Sequence, residues 1–391
     1  FLFMGGFMLG LAIEKWNLHR RIALNIVRLT GTSGNKIVLG FIMATGMISM
    51  WLSNTATTMM MFPIALSVIG VIKANHADQK GASNFALSVM LAIALASNFG
   101  GIATLIGTPP NVAYAAFVSK KYGYSIDFFD WMMVCLPLSV LLLASLYFVM
   151  TRWLYPNGML ADEKTGALIQ NEISALGPFS SAEKRVLVIF LCTAALWITK
   201  DLVNALELFK LDDNMIALMG GIALFVAPSG KNGEGLLVWA DTQRMAWGIL
   251  LLFGGGIALA GALEKAGLIS GLGQWFTQFA FNELMLIFLV ALVSLFVSEV
   301  MSNVAQVIVF APVVSSLADA AGMHPLMLGI PMTLAASCAS MLPMGTPPNA
   351  IAFSSGYIKL KDMTRVGFIM NLVSVALITL FCWLLLPLVL K

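Results

Sequence analysis

Apolar residues run along this chain in long blocks, with polar residues confined to short gaps between them. Residues 1–14 close one such block. Residues 17–30 differ: Leu18, Ile22, Ile26 and Leu29 share one helical face while Arg20, Arg21 and Arg28 crowd the rest, which predicts a helix lying in a membrane interface. Two apolar arms, 37–52 and 56–73, flank Ser53-Asn54-Thr55. The first arm is short for a full crossing, which predicts a re-entrant hairpin with its tip at membrane depth. Residues 85–118 are apolar but interrupted by Gly107-Thr108-Pro109-Pro110. Consecutive prolines remove backbone donors and restrict the residue before them, so a helix is expected to break there. A plain span follows at 129–150, then a polar connection at 151–185. Further spans are expected at about 186–202, 213–229 and 247–263. A second pair of arms (about 283–300 and 305–318) surrounds Ser302-Asn303. A second interrupted span (about 326–356) contains Gly345-Thr346-Pro347-Pro348, and a last span covers 366–390.

The order of these features repeats. Phe3-Met-Gly5-Gly6 with Glu14-Lys15 matches Phe253-Gly-Gly255-Gly256 with Glu264-Lys265, 250 residues apart. The Ser-Asn pairs match at 249 and the Gly-Thr-Pro-Pro-Asn runs, ending at Asn111 and Asn349, at 238. Several matches in one order indicate an internal duplication. The second copy has two spans ahead of Phe253 where the first has none, and the chain begins inside an apolar block without a basic leader. At least two further helices are therefore expected upstream in the natural protein. With the first hairpin's mouth placed on the cytoplasmic side, 16 of the 22 Lys and Arg residues fall in cytoplasmic segments and 6 outside. The positive-inside rule favours that orientation. It makes the two hairpins enter from opposite sides, so the repeats are inverted.

Composition agrees. Of 391 residues, 59% are hydrophobic and only 10% charged, and mean hydropathy is +0.91, whereas soluble domains carry about 25% charged residues. The fold class expected is an all-α polytopic membrane protein. Cys135, Cys192, Cys338 and Cys382 lie in apolar segments without ligand-like spacing and are expected to be buried small hydrophobes. No HExxH, GxSxG or Walker lysine is present, nor any nucleic-acid motif, so the chain does not read as an enzyme.

Inverted repeats with interrupted helices point to a secondary transporter that binds its cargo between the repeats. Unwound backbone at membrane depth is tolerated only where protein or a water-filled cavity surrounds it. Carbonyls freed near Gly107 and Gly345, with the hydroxyls of Ser49, Ser53, Ser298 and Ser302, supply neutral oxygens suited to a small hard cation. Asn54, Thr55, Asn303, Thr108 and Thr346 add donors beside helix N-termini, whose partial positive charge can hold a carboxylate. No Lys or Arg lies in either tip or either break. The bound cations would supply the missing positive charge, a physical reason for ion coupling. Glu299 is the one carboxylate at a tip; its equivalent is Met50, and roles in tuning binding or in structure alone both stand open. Gly6-x-x-x-Gly10 is expected to let helices approach closely.

The paired Ser-Asn-Thr-type tips and paired Gly-Thr-Pro-Pro-Asn breaks resemble the divalent anion/sodium symporter family, the dicarboxylate and citrate transporters of bacterial type. The resemblance spans essentially the whole chain. It implies a homodimer in the bacterial inner (plasma) membrane working by an elevator mechanism. The scaffold would be 1–36 and 186–281, including arm helices at 17–30 and about 266–281; the transport domain would be 37–150 and 282–391. By resemblance, one Na⁺ would meet Ser49, Ser53, Asn54 and Gly107, and a second Ser298, the Met301 carbonyl, Asn303 and Gly345. Substrate carboxylates would meet Asn54, Thr55, Thr108, Pro109, Asn303, Thr346 and Pro347. At the remaining position Val304 cannot donate the hydroxyl that Thr55 can. The expected function is Na⁺-coupled symport of a C4-dicarboxylate (succinate, malate or fumarate) or a tricarboxylate such as citrate, using at least two Na⁺ and no organic cofactor. A Na⁺-independent dicarboxylate exchanger on the same fold is the alternative; a channel-like conductor and a membrane-embedded enzyme fit less well.

Overall fold

A computed structural model describes residues 1–75, 80–159, 163–206, 210–230, 233–245, 247–248 and 282–389, with scattered positions between 251 and 266. The regular elements among the described residues are helices, joined by turns and loops, with an isolated bridge between Pro228 and Gly235. The first repeat runs α1 (Leu2–Lys15), α2 (Leu18–Thr30), α3 (Gly34–Ser49), α4 (Asn54–Asn75), α5 (Lys80–Gly101), α6 (Pro109–Tyr122) and α7 (Phe128–Phe148), which continues as a π-helical turn, Val149–Leu154. Then come α8 (Glu163–Ala175), α9 (Ser181–Asn204) and α10 (Asp213–Val226). The second repeat resumes with α11 (Glu283–Ser298), α12 (Asn303–Ala320), α13 (Leu326–Ser337), α14 (Pro347–Phe353) and α15 (Leu360–Val389). Six of the described helices are long and apolar enough to cross a bilayer; this is a multi-pass integral membrane protein.

Both hairpins form. The helix pairs α3/α4 and α11/α12 turn at Met50–Ser53 and Glu299–Ser302, and both interrupted spans open ahead of their prolines, between α5 and α6 and between α13 and α14. Proline fits each restart because the first turn of a helix has no use for its missing N–H.

Contacts at the helix ends fix the direction of each element. At one end the Gly34 N–H donates to Met159 O at 3.2 Å, Asn84 Nδ2 donates to Pro156 O at 2.9 Å, and the Tyr155 hydroxyl donates to Asp362 at 3.1 Å. Lys73 stands 4.3 Å from the Tyr357 ring centre there, and Arg20 pairs with Glu172 at 2.6 Å. At the opposite end Tyr122 bonds Asp319, the Tyr114 hydroxyl donates to Pro325 O, and Lys200 pairs with Asp127. The first hairpin therefore opens at one end and the second at the other, while α5–α6 and α13–α14 run antiparallel. The repeats are inverted, and the described parts of the basic segments 15–36, 73–83, 152–185 and 357–366 gather at one end.

The centre is α5. Its membrane window is 89% buried, against 28% for α9, and it packs against α3, α4, α7 and α14. Lipid supplies no hydrophobic drive between helices, so close approach of small residues has to hold them together. At Gly100 an added methyl would sit 2.6 Å from the Gly46 Cα, so α3 and α5 cross backbone to backbone. Gly6 and Gly10 serve the same purpose on α1, admitting Ile106 and Leu52.

Several expectations need correction. The 151–185 connection contains a helix, α8, which packs on α2 and α4. On α2 the buried stripe is Leu18, Ala23, Leu24 and Val27, whereas Leu29 is 80% exposed. That helix packs along α3, and Arg20 and Arg21 pair with Glu172 and Glu183. Cys192 is exposed, on the outward face of α9, while the other three cysteines are buried. The arm helix expected at about 266–281 lies outside the described residues, as does most of the 247–263 span.

Candidate functional site

The two tips build the same local arrangement. Ser49 Oγ donates to Asn54 Oδ1 at 2.8 Å, and Ser298 Oγ donates to Asn303 Oδ1 at 2.8 Å. Each asparagine opens the second arm of its hairpin, so its side chain sits at a helix N-terminus. Ser53 is used locally, its Oγ accepting from the Ala56 N–H at 3.2 Å. A methyl on Gly107 would meet the carbonyls of Met50 at 2.9 Å and Ser49 at 3.0 Å, and Gly101 O closer still. Carbonyl oxygens therefore converge beside Ser49 and Asn54, the donor chemistry a small hard cation requires. At the second break the methyl would meet Glu299 Oε2 at 3.1 Å and Leu342 O at 3.3 Å. Met301 is half-buried at its tip.

Each break is braced by the asparagine that ends its motif. Asn111 Nδ2 donates to Thr104 O at 2.8 Å and Gly101 O at 3.4 Å. Asn349 Nδ2 donates to Leu342 O at 3.1 Å and Ala339 O at 3.4 Å, the equivalent positions. These bonds satisfy carbonyls that the interrupted helices leave without partners.

The halves then meet. Helix α14 packs on α4 and α5, and α6 packs on α12, so each restarted helix lies against the other repeat's hairpin. The junction is Asn98 on α5. Its Nδ2 donates to Thr346 Oγ1 at 3.1 Å and Asn349 Oδ1 at 3.4 Å, while its Oδ1 accepts from Asn54 Nδ2 at 3.4 Å. Asn98, Thr108 and Thr346 are buried, and Asn54, Thr55 and Asn303 half-buried. Pro109 is half-buried and Pro347 exposed. Thr346 also caps α14, accepting from the Asn349 N–H at 3.3 Å, whereas the Thr108 side chain makes no capping bond. Val304 packs against the apolar core, so the two tips differ in what they offer beside their asparagines.

The sequence motifs did not include Asn98. An amide inside an otherwise apolar stretch, within Ser97-Asn98, was the available signal, because polar groups at membrane depth need partners. Its twin by the 238-residue offset is Ala336, whose carbonyl accepts from Ser298 Oγ at 2.6 Å. The bridge is therefore asymmetric.

A family profile described as the transmembrane region of sodium:sulfate symporters matches residues 1–389. A relative from Staphylococcus saprophyticus, "Sodium-dependent dicarboxylate transporter SdcS", is 38% identical over 396 residues, covering 99% of this chain and 76% of the relative. The protein of the same name from Staphylococcus aureus (strain USA300) is 39% identical over 399 residues, covering 100% and 76%. Among solved structures, the Alcanivorax borkumensis YdaH transporter superposes with a TM-score of 0.65 at 12% identity, over 99% of this chain and 85% of that one. That last likeness concerns the fold alone.

Proposed function

The chain belongs to the sodium:sulfate symporter family, and on that premise we propose that it is a Na⁺-coupled secondary transporter of C4-dicarboxylates. It would act in the bacterial plasma membrane. The observation that carries the reading is the junction at Asn98, where Asn54 at one helix N-terminus and Thr346 at another, from opposite repeats, share one hydrogen-bonded centre. The relatives named for sodium-dependent dicarboxylate transport support the ion and the substrate class.

One Na⁺ would be held by Ser49, Asn54 and the carbonyls crowding Gly107, with Ser53 beside them. The other would be held by Ser298, Asn303, Gly345 and the Met301 carbonyl. One substrate carboxylate would lie against Asn54, Thr55, Thr108 and Pro109, the other against Asn303, Thr346 and Pro347. Since neither tip nor break carries Lys or Arg, the cations would neutralise the dianion, making substrate binding conditional on Na⁺. Succinate, malate and fumarate fit two half-sites facing each other; citrate would need room for a third carboxylate. Inverted repeats suit alternating access by movement of one part against the other. We assign 37–150 and 282–391 to the moving part and 1–36 with 186–281 to a scaffold that pairs two copies.

The test is uptake into proteoliposomes. Labelled succinate should accumulate only with an inward Na⁺ gradient, and unlabelled dicarboxylates should compete better than citrate, tartrate or sulfate. Uptake indifferent to Na⁺ but driven by internal dicarboxylate would instead identify an exchanger.

A further inference from the structure

Glu299 follows α11 at the second tip and is 4% exposed. Its Oε1 accepts from the Ser340 N–H at 2.8 Å, the Met341 N–H at 2.9 Å and Asn371 Nδ2 at 2.7 Å. Its Oε2 accepts from the Leu342 N–H at 3.0 Å. Every one of these partners is a donor, so the pocket is built for a carboxylate rather than a carboxylic acid. Three of the donors are backbone groups of the second break, and among the described residues no Lys or Arg pairs with it. The anion thus fixes the unwound chain that leads to Gly345, and Oε2 borders Gly345 itself.

The first repeat does this without charge. At the position of Met50 only a carbonyl is used, accepting from the Thr104 hydroxyl, which in turn accepts from the Gly107 N–H at 3.1 Å. The two half-sites are alike in their Ser-Asn pairs yet differ by one formal negative charge.

We propose that Glu299 is a positioning residue that shapes the second break and lends its charge to the adjoining cation site, making that site the tighter of the two. This rests on the Na⁺-coupled reading above. A unit charge several ångströms from a bound cation, in a partly screened interior, is worth at least about tenfold in cation affinity.

The test is Na⁺ titration of purified protein without substrate, read by thermal stabilisation, with choline holding ionic strength constant. Glu299→Gln keeps the size and removes the charge; Glu299→Asp keeps the charge and shortens the reach. The Gln variant should raise half-saturating Na⁺ by about tenfold or more, by more than it raises the succinate KM at saturating Na⁺, and be partly rescued by Asp. A Gln variant that titrates like the unaltered protein, or better than Asp, would overturn the proposal. So would a rise in succinate KM at saturating Na⁺ as large as the rise in half-saturating Na⁺, which indicates collapse of the whole site.

The twin-site variants carry the test with Glu299 intact, should its variants fail to fold. Asn303→Ala should abolish the tighter phase of the Na⁺ titration and Asn54→Ala the weaker one; the reverse assignment overturns it. If Na⁺ stabilises the unaltered protein no better than choline, the Na⁺-coupled function itself fails and this inference with it. Clear Na⁺ stabilisation that is unchanged in the Glu299 variants removes this inference alone.

Discussion

Gly100 and Gly101 are adjacent on α5, yet a methyl group on each should do opposite things. At Gly101 the new Cβ would lie 3.0 Å from Asn54 Cγ and 3.1 Å from its Nδ2, and closer to Oδ1. The obstacle is the end of a side chain, so the fold can accommodate it, but only if the Asn54 amide retreats by roughly an ångström, well beyond the few tenths that packing absorbs easily. Retreat breaks the bond from Ser49 at 2.8 Å and the bond to Asn98 at 3.4 Å. Two neutral hydrogen bonds at about 1 kcal/mol each give ~2 kcal/mol, or about thirtyfold in binding. At Gly100 the Cβ would instead lie 2.6 Å from the Gly46 Cα and 2.8 Å from its carbonyl carbon. That is backbone, which cannot turn aside, so Gly100→Ala should cost about 1–3 kcal/mol of stability by overpacking. Thermal unfolding in detergent and Na⁺-dependent succinate uptake separate the two. Gly101→Ala should melt near the unaltered protein and lose uptake; Gly100→Ala should melt earlier. Full uptake by Gly101→Ala with an unchanged Na⁺ requirement would refute the placement of Asn54 in the site.

Asn98→Ala removes the junction between the repeats and should reduce succinate affinity by at least about tenfold, since the 3.1 Å bond to Thr346 and two weaker ones go with it. A double-mutant cycle with Thr346→Val should show coupling above the ~0.5 kcal/mol expected of independent sites. Asn54→Ala and Asn303→Ala should each abolish uptake while leaving gel-filtration behaviour intact; near-normal uptake in either would remove that tip from the site. Away from the site, Lys200 pairs with Asp127 at 2.7 Å and Asp213 at 3.3 Å, and Asp213 is buried. Lys200→Met leaves that carboxylate without its cation and should cost about 3 kcal/mol, read as a lower melting temperature, with Asp213→Asn restoring part of the loss.

Much of this protein was legible in its sequence because the membrane leaves few choices. Backbone groups in lipid must pair within a helix, so apolar blocks mark spans, and Pro109-Pro110 and Pro347-Pro348 mark the points where pairing has to stop. The duplication and the bias of basic residues then gave the inversion, and the tips at Asn54 and Asn303 fell where the spacing put them. What sequence could not supply was which groups touch across the repeats. Asn98 belongs to neither motif, and its twin is Ala336, so symmetry hides it. Glu299 read as an odd charge until three N–H groups of the second break were seen around it. The polar stretch at 163–175 looked like a connection because its apolar residues are few: Ile169 is buried and Leu168 and Ile173 pack on the core, while Arg20 holds Glu172. Local chemistry decides where a helix starts and breaks; the partners of the buried Asn98 amide and Glu299 carboxylate lie from 41 to 251 positions away in the chain, and only the tertiary structure decides those.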